Sequence, residues 1–261
     1  HADYTFDEKY GFRDYRGGGR SSARETIGRV AAGAIAAKLL GELGITVDAY
    51  VESIGPVSIS MDRFNLEEAR RNPTGMPDAE ASAQAEEYLQ KCIENQDSAG
   101  GVVSCKVHGM PAGIGEPVFD KLDACLGQAV MSIGAVKAFA VGDGCEVSKK
   151  NGSTNNDAFC NVNGQISKKT NHAGGILGGI SDGSDIILRA YFKPTPSIYQ
   201  KQQTVNQAGE EIEIQIKGRH DPIVVSRAVV VVEAMTAVTI LDELLRNMTS
   251  RLDGIKKFYH K

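Results

Sequence analysis

Arg16 to Thr26 reads RGGGRSSARET and places three glycines, three arginines and two adjacent serines at a loop-to-helix junction. Gly17, Gly18 and Gly19 give the backbone access to conformations closed to other residues and let a ligand approach the main chain. Ser22 and Glu25 stand at capping-box spacing for the helix that follows. The free N–H groups of a first helical turn, with the helix dipole behind them, favour a phosphate or carboxylate in front. Arg13, Arg16, Arg20, Arg24 and Arg29 concentrate positive charge here in a chain of net charge -4. These arginines either form an anion site or sit on a solvated face paired with Asp7, Glu8 and Asp14.

Two further segments have chemical potential. Arg219-His220-Asp221-Pro222 puts three titratable groups in succession ahead of a buried helix, where they serve proton chemistry or form an ion pair with Asp221 as the helix N-cap. Lys193-Pro194-Thr195-Pro196-Ser197 offers a cation and two hydroxyls on a backbone stiffened by two prolines. That composition suits a phosphate-bearing cofactor or a plain turn between strands. Gly174 to Gly179 does not fit the G-x-G-x-x-G spacing, and the residues after it predict a turn and strand, so a dinucleotide loop is rejected.

Composition narrows the classes of function. The chain has 261 residues, 41% apolar and 24% charged, which is ordinary for a globular protein. A pI near 5.8 and the absence of Trp argue against a nucleic-acid binder with a broad basic surface. No apolar run approaches a membrane span, so no membrane partner is expected. The opening HADYTFDEKY is not a leader, and the chain is expected to begin inside a longer protein. Five cysteines without a CxxC pair and five histidines without ligand spacing predict neither a disulfide frame nor a metal site, and a reducing cytosol as the location.

The elements that must position these groups follow from periodicity. A long Ala-rich helix is predicted from Ser22 to about Leu43, then a strand pair over Ile45 to Met61 interrupted at Gly55-Pro56. A polar helix follows over about Asp78 to Asn95. Strands are predicted at Val102 to His108 and Val136 to Val141, with a helix around Phe119 to Ser132 between them. The Asn-rich stretch Gly142 to Asn163 predicts an exposed, mobile excursion with no packed element. A hairpin over Thr204 to Lys217 turns at Ala208-Gly209, and a long helix spans about Val224 to Arg251. The pattern predicts one α+β domain over 1–261, with helices layered against mostly antiparallel sheets.

HADYTF and GFRDYRGGGRSSAR over 1–24, PAGIGEPVFDKLDA from Pro111, NHAGGILGGIS from Asn171, KPTPSI from Lys193 and KGRHDP from Lys217, leading to VEAM, resemble the chorismate synthase family in order and along nearly the whole chain. The resemblance implies a β-α-β sandwich and a homotetramer. It also implies a lyase that eliminates phosphate from 5-enolpyruvylshikimate 3-phosphate to give chorismate, with reduced FMN as cofactor. By the same resemblance His1 and Asp221 are catalytic, His1 protonating or steadying the reduced flavin and Asp221 handling the proton at flavin N5. FMN contacts map onto Arg20, Ser21, Ser22, Gly134, Ala135, Gly178, Lys193, Pro194, Thr195, Pro196, Ser197 and Arg219. Gly134 stands where relatives often carry Asn, which leaves only main-chain contact there.

The family's GESHG block, its other catalytic histidine and the arginines for substrate or NADPH precede the segment matched here. A chain without them is expected to show weak or no turnover even where FMN still binds, and to act as a non-catalytic FMN- or anion-binding fragment if His1 and Asp221 do not face one pocket.

Overall fold

The computed structural model describes residues 2–216, 218 and 221–259; His1 and Arg219, two of the predicted site residues, lie outside them. In chain order the elements are α1 (Asp3–Tyr10), α2 (Thr26–Glu42), β1 (Thr46–Ile54), β2 (Val57–Ser58), α3 (Leu66–Ala69), α4 (Ala79–Glu94), β3 (Gly101–His108), α5 (Leu122–Met131) and β4 (Val136–Val141). They continue with α6 (Gly152–Asn155), β5 (Phe159–Val162), β6 (Gln165–Lys168), β7 (Ile176–Leu177), β8 (Ile180–Ser181), β9 (Ile186–Phe192), β10 (Gln202–Val205), β11 (Glu211–Ile214), α7 (Val225–Asn247) and α8 (Leu252–Tyr259). A five-stranded sheet runs in the order β2-β1-β3-β9-β4, and β5-β6, β7-β8 and β10-β11 form separate two-stranded sheets. The hairpin pairs, including β1-β2 across Gly55-Pro56, are antiparallel. The fold is α+β, the class predicted from the sequence.

Backbone packing divides the chain into two compact units. The first comprises residues 1–25, 50–103 and 191–229. Its core holds Val51, Ile54, Met76, Ala85, Val103 and Val225. Asp78 starts α4 because its carboxylate accepts the N–H groups of Glu80 and Ala81 at 3.1 and 3.2 Å. The same carboxylate is buried and also takes Ser60 N–H and the Arg63 guanidinium. Burial pushes the Asp78 carboxyl up, but Arg63 and the Ser60 and Ala81 amides outweigh it and hold it at about 2.

The second unit comprises residues 26–49, 104–190 and 230–261. Leu40, Cys105, Val107, Leu122, Leu126, Leu188, Val232 and Ile240 build its core. Strand β9 alternates strictly, burying Ile186, Leu188 and Ala190 within this unit, so one face carries the core and the other carries Ile187 and Arg189. Helices α2 and α7 meet at Gly33, where an added Cβ would lie 2.3 Å from that of Ala234. Only glycine permits this approach.

Three expectations change. The Ala-rich helix, α2, starts at Thr26 and not directly after Ser22: Ser22 is extended, and the intervening residues, Ala23–Glu25, form a 3-10 turn. The long helix predicted over about Val224 to Arg251 is α7, which ends at Asn247, and a separate helix, α8, follows from Leu252. Residues 142–163 carry regular elements, namely a 3-10 turn (Gly144–Lys149), α6 and the β5-β6 hairpin. Helix α1 lacks a sequence signal of its own, since it buries no residue and has no apolar stripe.

Candidate functional site

In the first unit, the Arg-Gly-Ser junction presents a split arginine set. Arg13 pairs with Asp3 and Asp7, and Arg16 with Asp14, so part of the cluster is neutralised locally as the acid-pair alternative foresaw. Arg20 and Arg24 form no ion pair among the described residues. Ser21 Oγ donates to Gly18 O at 2.6 Å, and Ser22 Oγ accepts from Arg24 N–H at 3.3 Å. The cationic turn is thus held in shape by its own hydroxyls.

The loop Lys193–Ser197 leaves the end of β9. Prolines 194 and 196 remove two backbone donors, and side chains from elsewhere hold the loop instead. Ser98 Oγ donates to Thr195 O at 2.7 Å, and Gln202 Nε2 donates to Pro196 O at 3.3 Å. Thr195 Oγ1 is buried without a hydrogen-bond partner among the described residues, and Lys193 makes no ion pair among them. A buried hydroxyl without a partner is costly, and it leaves a donor for an anion's oxygen.

Asp221 is registered on the same framework. Ala99 N–H donates to Pro222 O at 2.8 Å, and Ala99 bridges Ile223 in parallel. The Asp221 carboxylate takes two bonds from the Arg227 guanidinium, at 2.6 and 3.2 Å. Asp221 is therefore no N-cap: it stands four residues ahead of the first residue of α7 and bonds a side chain. Ser197 and Asp221 line one crevice of about 70 Å³ together with Asp97, Ser98, Tyr199 and Pro222. No hydrogen bond or ion pair among the described residues joins Arg20, Ser21 or Ser22 to these two segments.

In the second unit, Gly178 and Gly179 form the two-residue turn of the β7-β8 hairpin, with φ +61° and +83°, a conformation that disfavours side-chain-bearing residues at both positions. Gly179 O accepts from Leu122 N–H at 2.9 Å, which seats the turn at the start of α5. Gly134 and Ala135 follow the other end of that ten-residue helix, about 15 Å away along its axis. Ala135 has φ +72°, a strained conformation for a residue with a Cβ. An added Cβ at Gly134 or Gly178 would meet nothing within 4 Å, so both leave room for a ligand against the main chain.

The block Asn171 to Gly175, which leads into this hairpin, hangs on a buried carboxylate. Asp157 accepts from Thr170 Oγ1 at 2.6 Å, His172 N at 2.8 Å, Ala173 N at 2.9 Å and Lys168 Nζ at 3.4 Å. Lys168, also buried, reaches Asp182 at 2.6 Å and Asn171 Oδ1 at 3.2 Å. Burial pushes the Asp157 carboxyl up, while Thr170, the two amides and Lys168 together hold it well below the usual carboxylate range. A hollow of about 450 Å³ opens beside this cluster, lined in part by Lys168, Asn171, Asp182 and Asp185. None of the predicted site residues lines it.

Sequence reasoning missed Ser98 and Asp157. Ser98 sits in NQDSAGG, which reads only as a strand opener, and Asp157 sits in an Asn-rich tract whose composition signals a loop. Among the described residues no group of three or more His, Cys, Asp or Glu side chains could hold a metal, and no helix is long and apolar enough to cross a membrane.

Comparison with known proteins places these features. A family model described as chorismate synthase matches residues 1–245. Chorismate synthase of Lachnoclostridium phytofermentans is 64% identical over 262 residues, which takes in 100% of this chain and 71% of that protein. Chorismate synthase of Agathobacter rectalis is 60% identical over 261 residues, with the same coverage. Among solved structures, a crystal structure of chorismate synthase matches with a TM-score of 0.79 at 29% identity, over 98% of this chain and 74% of that chain.

Proposed function

The chain belongs to the chorismate synthase family, and we propose that its segments hold reduced FMN against 5-enolpyruvylshikimate 3-phosphate for the 1,4-elimination that yields chorismate and phosphate. The observation that carries this is the family match across the chain, with Lys193, Thr195 and Asp221 held on one framework in the first unit. The residues present fit a flavin mononucleotide. Thr195 Oγ1 is buried and lacks a partner among the described residues, Lys193 and Arg20 are not neutralised by described acids, and Gly134 and Gly178 leave open main chain.

When bound, the reduced flavin supplies electron density that assists departure of the phosphate and returns to it, since the reaction has no net redox change. The protein's residues do the rest. Lys193, Thr195 and Ser197 bind the cofactor phosphate on a loop pre-shaped by Pro194 and Pro196, and Arg20, Ser21 and Ser22 add a cationic turn. By the family resemblance, main chain at Gly134, Ala135 and Gly178 would contact the cofactor. The Asp221 carboxylate handles a proton, oriented by the two Arg227 bonds. His1 and Arg219 complete the set in this reading, as proton donor and flavin contact. Substrate and cofactor together bring several anionic groups into one site, and dense cations offset their repulsion.

The protein is proposed to work as a homotetramer in the cytoplasm, in keeping with five free cysteines. The test is phosphate release from the substrate by the protein at its natural length, without oxygen, with FMN reduced by dithionite or NADPH. Release that depends on FMN and falls at least a hundredfold in Asp221→Asn supports the assignment of Asp221; release unaffected by that change removes it. No FMN-dependent release at all overturns the functional reading.

A further inference from the structure

We propose that Ser98 is a positioning residue for the cofactor, holding the phosphate-binding loop Lys193–Ser197 in register with Asp221; the inference rests on the reading of that loop given above. Helix α4 ends at Glu94. Its last turn closes with Gln96 N–H on Ile93 O at 3.0 Å and Asp97 N–H on Cys92 O at 2.8 Å, the double bond of a Schellman end. Gln96 takes the left-handed position at φ +57°, where glycine is usual. That costly geometry turns the chain sharply and fixes the direction of residues 97–100.

Each of the next residues then holds a different part of the site. Asp97 Oδ1 accepts Ser98 N–H at 2.8 Å and sets the Ser98 backbone. Ser98 Oγ donates to Thr195 O across 97 residues of sequence. Ala99 N–H donates to Pro222 O and fixes the residue after Asp221. At Gly100 an added Cβ would lie 2.6 Å from Phe192 O and 3.2 Å from Pro194 Cδ, so the loop's entry lies directly on this segment.

Of these contacts, the Ser98 hydroxyl is the one made by a side chain to the part of the loop that bears Thr195. Neither proline flanking Thr195 can donate, so the loop has little backbone bonding to replace it. Removing the hydroxyl leaves Thr195 O without this donor and loosens the segment that carries Thr195. A bond of this kind is worth about fivefold to tenfold in affinity.

The experiment uses the protein at its natural length and measures binding of oxidised FMN and of riboflavin, which lacks the phosphate, by flavin fluorescence. For Ser98→Ala the expected result is FMN affinity lower by about fivefold to tenfold, riboflavin affinity unchanged within twofold, and near-wild-type affinity restored in Ser98→Thr. FMN affinity within twofold of wild type, equal losses for both flavins, or failure of the threonine variant to restore binding overturns the inference. A lowered melting temperature with unchanged FMN affinity also overturns it, because Ser98 would then be structural only. Lys193→Ala separates the two levels. If it weakens FMN while Ser98→Ala does not, only the role of Ser98 falls. If Lys193→Ala itself leaves FMN binding intact, the phosphate-loop reading falls and takes the inference with it.

Discussion

Replacing Asp157 by Asn removes one charge and turns one acceptor into a donor while leaving the side chain's size nearly unchanged. In the native cluster Oδ1 serves Thr170 and the His172 amide, and Oδ2 serves the Ala173 amide and Lys168. An asparagine can keep the first pair, but its NH2 group then faces an N–H and an ammonium, both donors. Flipping the amide exchanges one conflict for another. The side chains of Asp157 and Lys168 are each 3% exposed, so water does not take over the lost bonds. An unsatisfied buried amide costs about 1–3 kcal/mol, and losing a charged partner of Lys168 adds about 1 kcal/mol, moderated by the remaining bond to Asp182. The expected destabilisation is about 2–4 kcal/mol by urea unfolding. Hydrogen exchange should quicken at His172 and Ala173 before it changes at Leu188 or Val107. A variant within 0.5 kcal/mol of wild type with unchanged protection at those two amides would refute the reasoning.

Asp78 gives a pH dependence of definite sign: its carboxyl falls from the ordinary 3.8 to about 2 on folding, so it contributes about 2 kcal/mol that is present well above pH 4 and lost as pH falls through about 2. Urea unfolding at pH 6 and pH 3 should show about half of this loss, and Asp78→Asn should flatten that part of the profile. Gly33→Ala puts a methyl group against the Ala234 backbone and is expected to destabilise by about 1–3 kcal/mol in thermal unfolding. Ala135→Gly relieves a left-handed alanine and is expected to be stabilising by up to about 1 kcal/mol.

Where structure follows from local chemistry, the sequence was legible. Asp78 and Asn95 bound α4 at the positions that N-cap preference and polar periodicity predict, and Gly55-Pro56 divides β1 from β2 as expected. Residues 176–181 form a hairpin and not a dinucleotide loop, because Gly178 and Gly179 both adopt positive φ. What stayed hidden depends on partners distant in the chain. Asp157 lies among asparagines, glycines and lysines, whose composition marks a loop. Its bonds to residues 168–173 give the segment a fixed core without burying apolar surface. Propensity has no term for a carboxylate that collects four donors.

The same distinction governs the candidate site. KPTPS and RHDP are recognisable because their residue types advertise phosphate and proton chemistry, yet neither segment specifies where the other lies. Two prolines make the first rigid internally while removing the donors by which a strand would be held to its neighbours. Register must come from outside the loop, and residues 97–100 supply it through one hydroxyl, one amide and one glycine contact. These are small residues, with no periodicity and no charge at the contacts, so no pattern in the sequence marks them. A motif can therefore name the chemistry of a site while the geometry that makes it useful resides in residues that carry no motif. Affinity for the phosphate of FMN should accordingly be more sensitive to Ser98, which does not touch the cofactor, than to exposed arginines such as Arg16 that are already paired.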